Sequence, residues 1–170
     1  MKFNKKEYVK LLIYILSNCY DKPHVGKTVL LNTLYFADFN HYEIYNDSIT
    51  HETYLKSKKG VQSKHFEKIT NELIKKDHLF FRKEAYYHRT LHKYYLTKIP
   101  NINFSKEKLL IINSTINELI TKNATTIMKH TKDDPPYKIA KLNEELDYEN
   151  VYYRNPNYSI RKKFIYSHYI

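Results

Sequence analysis

The chain has 170 residues, a single cysteine and a formal net charge of +11, with 42% hydrophobic and 28% charged side chains. That length and composition support one domain with one continuous core and exclude a disordered chain, a disulfide scaffold and a polytopic membrane protein. Two glycines, five prolines and no repeat of solenoid spacing leave no flexible linker and no array, and the lone Cys19 suits a reducing compartment.

The first segment, MKFNKKEYVKLLIYILSNC, has the order of a lipoprotein signal, but Glu7 and Lys10 interrupt it and its apolar run is short. Asn4 followed by Glu7 forms a capping-box pattern, and Tyr8, Leu12, Ile15 and Cys19 recur at helical spacing, which predicts an amphipathic helix. Pro23 and Gly26 make a turn. A second helix, KTVLLNTLYFADFNHYEIY, places Leu31, Tyr35, Asp38 and Tyr42 on one stripe, so Asp38 falls on or beside a buried face. SITHETYLKSK reads as a strand, and SKHFEKITNELIKKDH as a third helix with Phe66, Ile69, Leu73 and Ile74 inward. LFFRKEAYYHRTLHKYYLTK reads as a β-hairpin turning near His88 to Thr90. Ser105 caps a fourth helix, and ATTIMKHT forms a short fifth that Pro135 and Pro136 must end. The elements together predict a predominantly α-helical α+β domain of about five or six helices with a small antiparallel sheet or β-hairpin.

Charge is uneven along this plan. Residues 54–98 carry twelve basic and four acidic side chains, residues 130–150 carry six acids against three lysines, and the last twenty residues are basic without an acid. A basic middle could track phosphates, and Arg82, Lys83, Arg89 and Lys93 on the hairpin behind the third helix are its candidates for a winged-helix-like grip on DNA. The competing reading is a solvated lysine face. VGKT at 25–28 is not a phosphate loop, because Asp21 stands where the earlier glycine is needed and no strand precedes it. His88 and His92 lie on a hairpin without a partner at ligand spacing, so no metal and no cofactor is expected. No nucleophile, base and oxyanion donors occur together, and Asp38 with His41 on one helix is commoner as buried hydrogen bonding than as an acid–base pair.

The stretch LYFADFNHYEIYNDSITHETYLKSKKG resembles the signature helix and following strand of the Panacea, or SocA-like, domain. Leu34 to Asp38, His41 and Tyr42, Ser48 to Thr50, Thr53 and Tyr54, Gly60, then His130, Asp134 to Tyr137, and Tyr153 with Arg154 follow the family order over roughly residues 5 to 154. Three departures stand out: Val61 after Gly60 where the family has proline, Tyr137 where it has tryptophan, and His51 and Glu52 where small residues are usual. The resemblance implies a domain at 1–154 followed by a basic, tyrosine-rich tail at 155–170. It also implies a cytoplasmic antitoxin, not an enzyme, that neutralises a partner protein by direct contact, the cognate toxin being encoded next door. A DNA binder and an adaptor delivering a partner to a protease are the alternatives.

Within that frame, residues 129–138, KHTKDDPPYK, concentrate acids and prolines where a helix must stop. Carboxylates at a helix C-terminus oppose its dipole. Asp134 therefore needs a dedicated partner, either a backbone N–H or a cation from the middle segment, and His130 is placed to reach it. The prolines are expected to hold an extended segment presenting Tyr137, either as the clasp that closes the domain's own core or as a contact for a partner, the two being compatible. Polar residues set among aromatics suit interface anchors, which makes Tyr35, Asp38, His41, Tyr42, His130, Asp134, Pro135, Pro136 and Tyr137 the candidate partner-binding set.

Overall fold

A computed structural model describes residues 2–165, so residues 166–170 of the expected tail lie outside the described residues. Helix α1 (Lys5–Ser17) starts where the Asn4 side chain accepts the backbone N–H of Glu7, and it buries Tyr8, Leu11, Leu12 and Ile15. After the turn at Pro23, α2 (Lys27–Tyr45) runs through the middle of the molecule, and every residue from Val29 to Glu43 is buried. A helix enclosed on all sides is normally apolar all round. This one carries Asn32, Thr33, Asp38, Asn40, His41 and Glu43 inside, so each needs a partner from the elements around it.

Those elements wrap α2 in sequence order. Strands β1 (Tyr54–Ser57) and β2 (Gly60–Ser63) form a short antiparallel hairpin. The sequence reading had one strand here, because a four-residue strand following a turn with no Asn-Gly or Asp-Gly pair gives almost no periodic signal. Residues 143–146 lie along the outer edge of β1, with Asn143 N–H donating to Lys56 O and Leu146 N–H to Tyr54 O, both at 2.8 Å. Helix α3 (Phe66–Lys75) turns Phe66, Ile69 and Leu73 inward. The second hairpin pairs β3 (Leu79–Tyr86) with β4 (Arg89–Leu96) through a turn at Tyr87 and His88. Helix α4 (Lys106–Leu119) begins at its Ser105 cap, and α5 (Ala124–Asp133) at Asn123, whose side chain accepts from Thr126 N–H.

Beyond α5 the expected extended segment is instead a helical turn, α6 (Pro135–Ile139). The prolines do end α5, but Pro135 occupies the first position of the next helix, where a missing N–H costs nothing and the fixed φ is already helical. A 3₁₀ turn (Tyr148–Tyr153) and the short α7 (Arg161–Ile165) close the chain. Residues of the expected tail return to the body: Ile160 and Phe164 are buried with Ile111. The fold is thus α+β and helix-rich, with eight helical segments and two separate two-stranded hairpins among the described residues. The short α6, 3₁₀ turn and α7 account for the helices beyond those expected, since pieces of five or six residues are too brief to show a period.

Gly60 opens β2 at φ +107°, and a Cβ there would stand 2.3 Å from Met128 Sδ. Gly60→Ala is expected to lower stability by about 1–3 kcal/mol through backbone strain alone. Combining it with Met128→Ala should relieve the clash but not the strain, and urea denaturation of the two variants checks this.

Candidate functional site

The residues named by the sequence gather in two polar clusters on different sides of α2: Tyr35, Asn40 and Glu43 serve the first, and Asp38, between them in the chain, serves the second. In the first, Arg154 is completely enclosed: its guanidinium is bidentate on Asp134, with Nε to Oδ1 at 2.8 Å and Nη2 to Oδ2 at 2.7 Å. Its Nη1 donates to Asn40 Oδ1 at 2.8 Å and to Glu43 Oε2 at 2.9 Å. Tyr35 donates its hydroxyl to Asp134 Oδ2 at 2.7 Å. Glu43 takes a further bond from the Ser159 hydroxyl at 2.5 Å, and Arg161 Nε stands 3.2 Å from Oε1, so two cations face two carboxylates. Burial alone would pull the Arg154 pKa down; the charge and hydrogen bonds of Asp134 outweigh it and hold the guanidinium firmly protonated. Burial and then the Asp134 charge push Tyr35 well above the usual phenol range, which keeps it a donor.

The second cluster is centred on Asp38. Oδ1 accepts the Thr50 N–H at 2.8 Å, and Oδ2 accepts the Thr50 hydroxyl at 2.5 Å and the Tyr54 hydroxyl at 2.8 Å. Asp38 thereby ties α2 to the loop before β1, and Asn4 N–H ties α1 to the same loop through Thr50 O at 2.8 Å. Burial pushes the Asp38 carboxyl up to about 6, with the three hydrogen bonds opposing only part of the desolvation. Beside it the buried Glu52 meets His65 Nδ1 at 3.0 Å, and Phe3 stacks on the His65 ring at 3.9 Å between centroids.

The remaining predicted residues are distributed around these clusters. His41 does not pair with Asp38; its Nδ1 meets Asp47 O at 2.5 Å and its ring lies against Tyr45. Tyr42 is buried among Tyr148 and Tyr152. His130 does not reach Asp134: its ring stacks on Tyr158 at 4.7 Å, its Nε2 lies 3.9 Å from Glu118, and burial lowers its pKa. Pro136 is buried and Pro135 half-buried. Tyr137 is 5% exposed, donates its hydroxyl to Ser57 O at 2.7 Å and lies under the Lys56 ammonium. Instead of being presented outward, it plugs the body beneath the β1–β2 hairpin, because starting α6 at Pro135 rotates it inward. Seven of the nine residues expected to touch a partner are therefore core, and a core side chain offers a partner no surface in this conformation.

Of the alternative nucleic-acid residues, Arg82, Lys83 and Arg89 are exposed on the second hairpin. Lys93 is not: its ammonium points inward to Lys22 O and Pro23 O, both at 3.4 Å, and to Glu84 at 3.6 Å. The sequence reading missed Arg154 as a site residue, together with Glu43, Asn40, Thr50 and Tyr54. A signal for Arg154 existed, since it is the single cation between residues 142 and 160 in a stretch rich in acids.

Residues 30–138 match the family model described as antitoxin SocA-like, Panacea domain. The chain belongs to that family. No curated protein and no solved structure matches it. The matched span contains Asp38, Thr50, Tyr54 and Asp134 but stops short of Arg154, so the Panacea match includes one side of the first cluster and leaves out the cation that completes it. Membership gives the chain a general antitoxin-like role. No helix among the described residues is long and apolar enough to cross a membrane.

Two tests follow from the clusters. Arg154→Ala strands Asp134 as a buried carboxylate without a cation, leaves Glu43 with Arg161 alone, and should cost about 3–5 kcal/mol, seen in chemical denaturation. For Asp38 the folded pKa lies above the ordinary carboxylate value of 3.8, so the folded chain holds the proton more tightly. Its contribution is therefore greatest below that value and is lost as pH rises through about 6. The stability of the natural chain relative to Asp38→Asn should accordingly fall by ~3 kcal/mol between acid and neutral pH, at ~1.4 kcal/mol per tenfold change in proton affinity. Denaturation of both proteins across that range reads the difference.

Proposed function

We propose that this chain is the antitoxin of a toxin–antitoxin pair, acting in the cytoplasm of a cell or phage-infected host by binding its cognate toxin directly, without turnover. The family match carries the reading. The geometry supports it, because Tyr35, Asp38, His41 and Asp134, the side chains with the chemistry for catalysis, are buried and already bonded within the chain. Their task in this reading is to set the surface from beneath. Asp38 fixes the entry to β1 through Thr50 and Tyr54, and Tyr137 fixes its exit through Ser57 O. Residues 1–154 act as the binding domain, and Ser159 and Ile160 of the segment that follows brace it on Glu43.

The test is expression of the neighbour-encoded protein with and without this chain. Toxicity of the neighbour alone, relief on co-expression and a complex that co-purifies are expected. Relief that disappears in a protease-deficient host, with the neighbour's level restored, would replace direct block by delivery to a protease. Sub-micromolar, sequence-selective duplex binding at about 0.15 M salt would instead favour the basic hairpin as a DNA reader.

A further inference from the structure

An open cleft of about 380 Å³ lies where the start of α2, the β1–β2 hairpin and β4 converge. Its volume falls in the range of ligand sites, about 300–1,000 Å³. Val61 and Leu91 line it with aliphatic surface, and His24, Lys27, Lys59 and His92 supply its polar and cationic groups. No aspartate or glutamate is among the residues lining it, although Lys27 also pairs with Glu67 outside. The walls are held rigidly from behind. Tyr137 bonds Ser57 O at the foot of one hairpin, Met128 packs on Gly60 at its turn, and Lys93 anchors β4 to the carbonyls of Lys22 and Pro23.

We propose that this cleft is the docking site for an acidic, extended segment of the partner protein, its carboxylates meeting Lys59, Lys27 and His92 while small aliphatic side chains lie on Val61 and Leu91. The proposal rests on the antitoxin reading for the identity of the partner, and on charge complementarity for the chemistry of the segment: a cleft with cations, aliphatic surface and no acid attracts carboxylates and repels a basic peptide. The competing occupant, single-stranded nucleic acid, is disfavoured by the lining itself. Such sites depend on aromatic faces for base stacking, and no Phe, Tyr or Trp lines this cleft. The exposed aromatics Phe80, Phe81 and Tyr87 belong to the second hairpin but not to the cleft.

Fluorescence anisotropy with a labelled dodecapeptide alternating Glu and Val, beside a labelled dT12 oligonucleotide, tests this at about 0.15 M salt. The variant Lys59→Glu with His92→Glu changes only exposed positions of the cleft. Lys59→Glu alone is the fallback should the pair melt early. Lys68→Glu with Lys75→Glu on α3, also exposed and away from the cleft, makes a slightly larger change in net charge and so controls for charge alone. The expected result is peptide affinity reduced at least tenfold by the cleft variant and less than twofold by the control. An equal loss in both, or in neither, overturns the proposal, as does dT12 binding more tightly than the peptide and failing with the cleft variant. Pull-down of the neighbour-encoded protein separates this from the antitoxin reading. If the natural chain captures it and the cleft variant captures it equally, the cleft is wrong and the antitoxin stands. If the natural chain captures nothing yet binds the peptide through the cleft, the site stands and the antitoxin assignment falls.

Discussion

The fold turns on a guanidinium taken out of water. Arg154 comes from near the end of the chain and bonds Asn40 and Glu43 on α2 and Asp134 at the junction of α5 and α6, so three distant stretches close on one group. Desolvating such an ion costs several kcal/mol, and replacing a buried ion pair by apolar side chains is often no loss in stability. What the arrangement supplies is geometric: a planar fork admits only one placement of Asp134. With Asp134 seated, the α5–α6 corner is set, and with it the inward direction of Tyr137.

The second consequence lies on another side of α2, at Asp38. A carboxylate accepting three hydrogen bonds is ordinarily stabilised as an anion, yet the enclosure of Asp38 is complete enough for desolvation to prevail. The loop at Ser48 to Tyr54 is clamped as a result, and the β1–β2 hairpin grows from a rigid base. Polar residues on a central helix that look like chemistry are here the means by which the first hairpin and a helical corner are held in place, while Lys93 anchors the second hairpin and a basic cleft is left between the two hairpins.

Much of this was legible in the residues. The caps at Asn4 and Ser105, the helical spacing of Phe66, Ile69 and Leu73, and the aromatic arms of the second hairpin each depend on neighbours a few positions away, and local geometry is what a sequence encodes most directly. The need of Asp134 for a dedicated partner was also legible, from the helix dipole. The kind and identity of that partner were not: the sequence left open a backbone N–H or a cation from the basic middle, and the partner is Arg154, twenty residues downstream.

The sequence by itself determined the helix-rich α+β class and the family, because periodicity, caps and motif order are properties of the chain read locally; of the two buried clusters it singled out Tyr35, Asp38 and Asp134 but not Arg154. Only the tertiary structure decided what those residues do. Tyr35, Asp38 and Tyr137 have the composition of an interface, but burial depends on which faces of α2, α5 and α6 meet, and those meetings are set by contacts between residues roughly a hundred positions apart, such as Tyr35 with Asp134 and Arg154 with Asn40. The same long-range closure put Lys93 inside and left Lys59 and His92 at the surface, a distinction that three basic side chains on neighbouring hairpins do not carry in their own sequence.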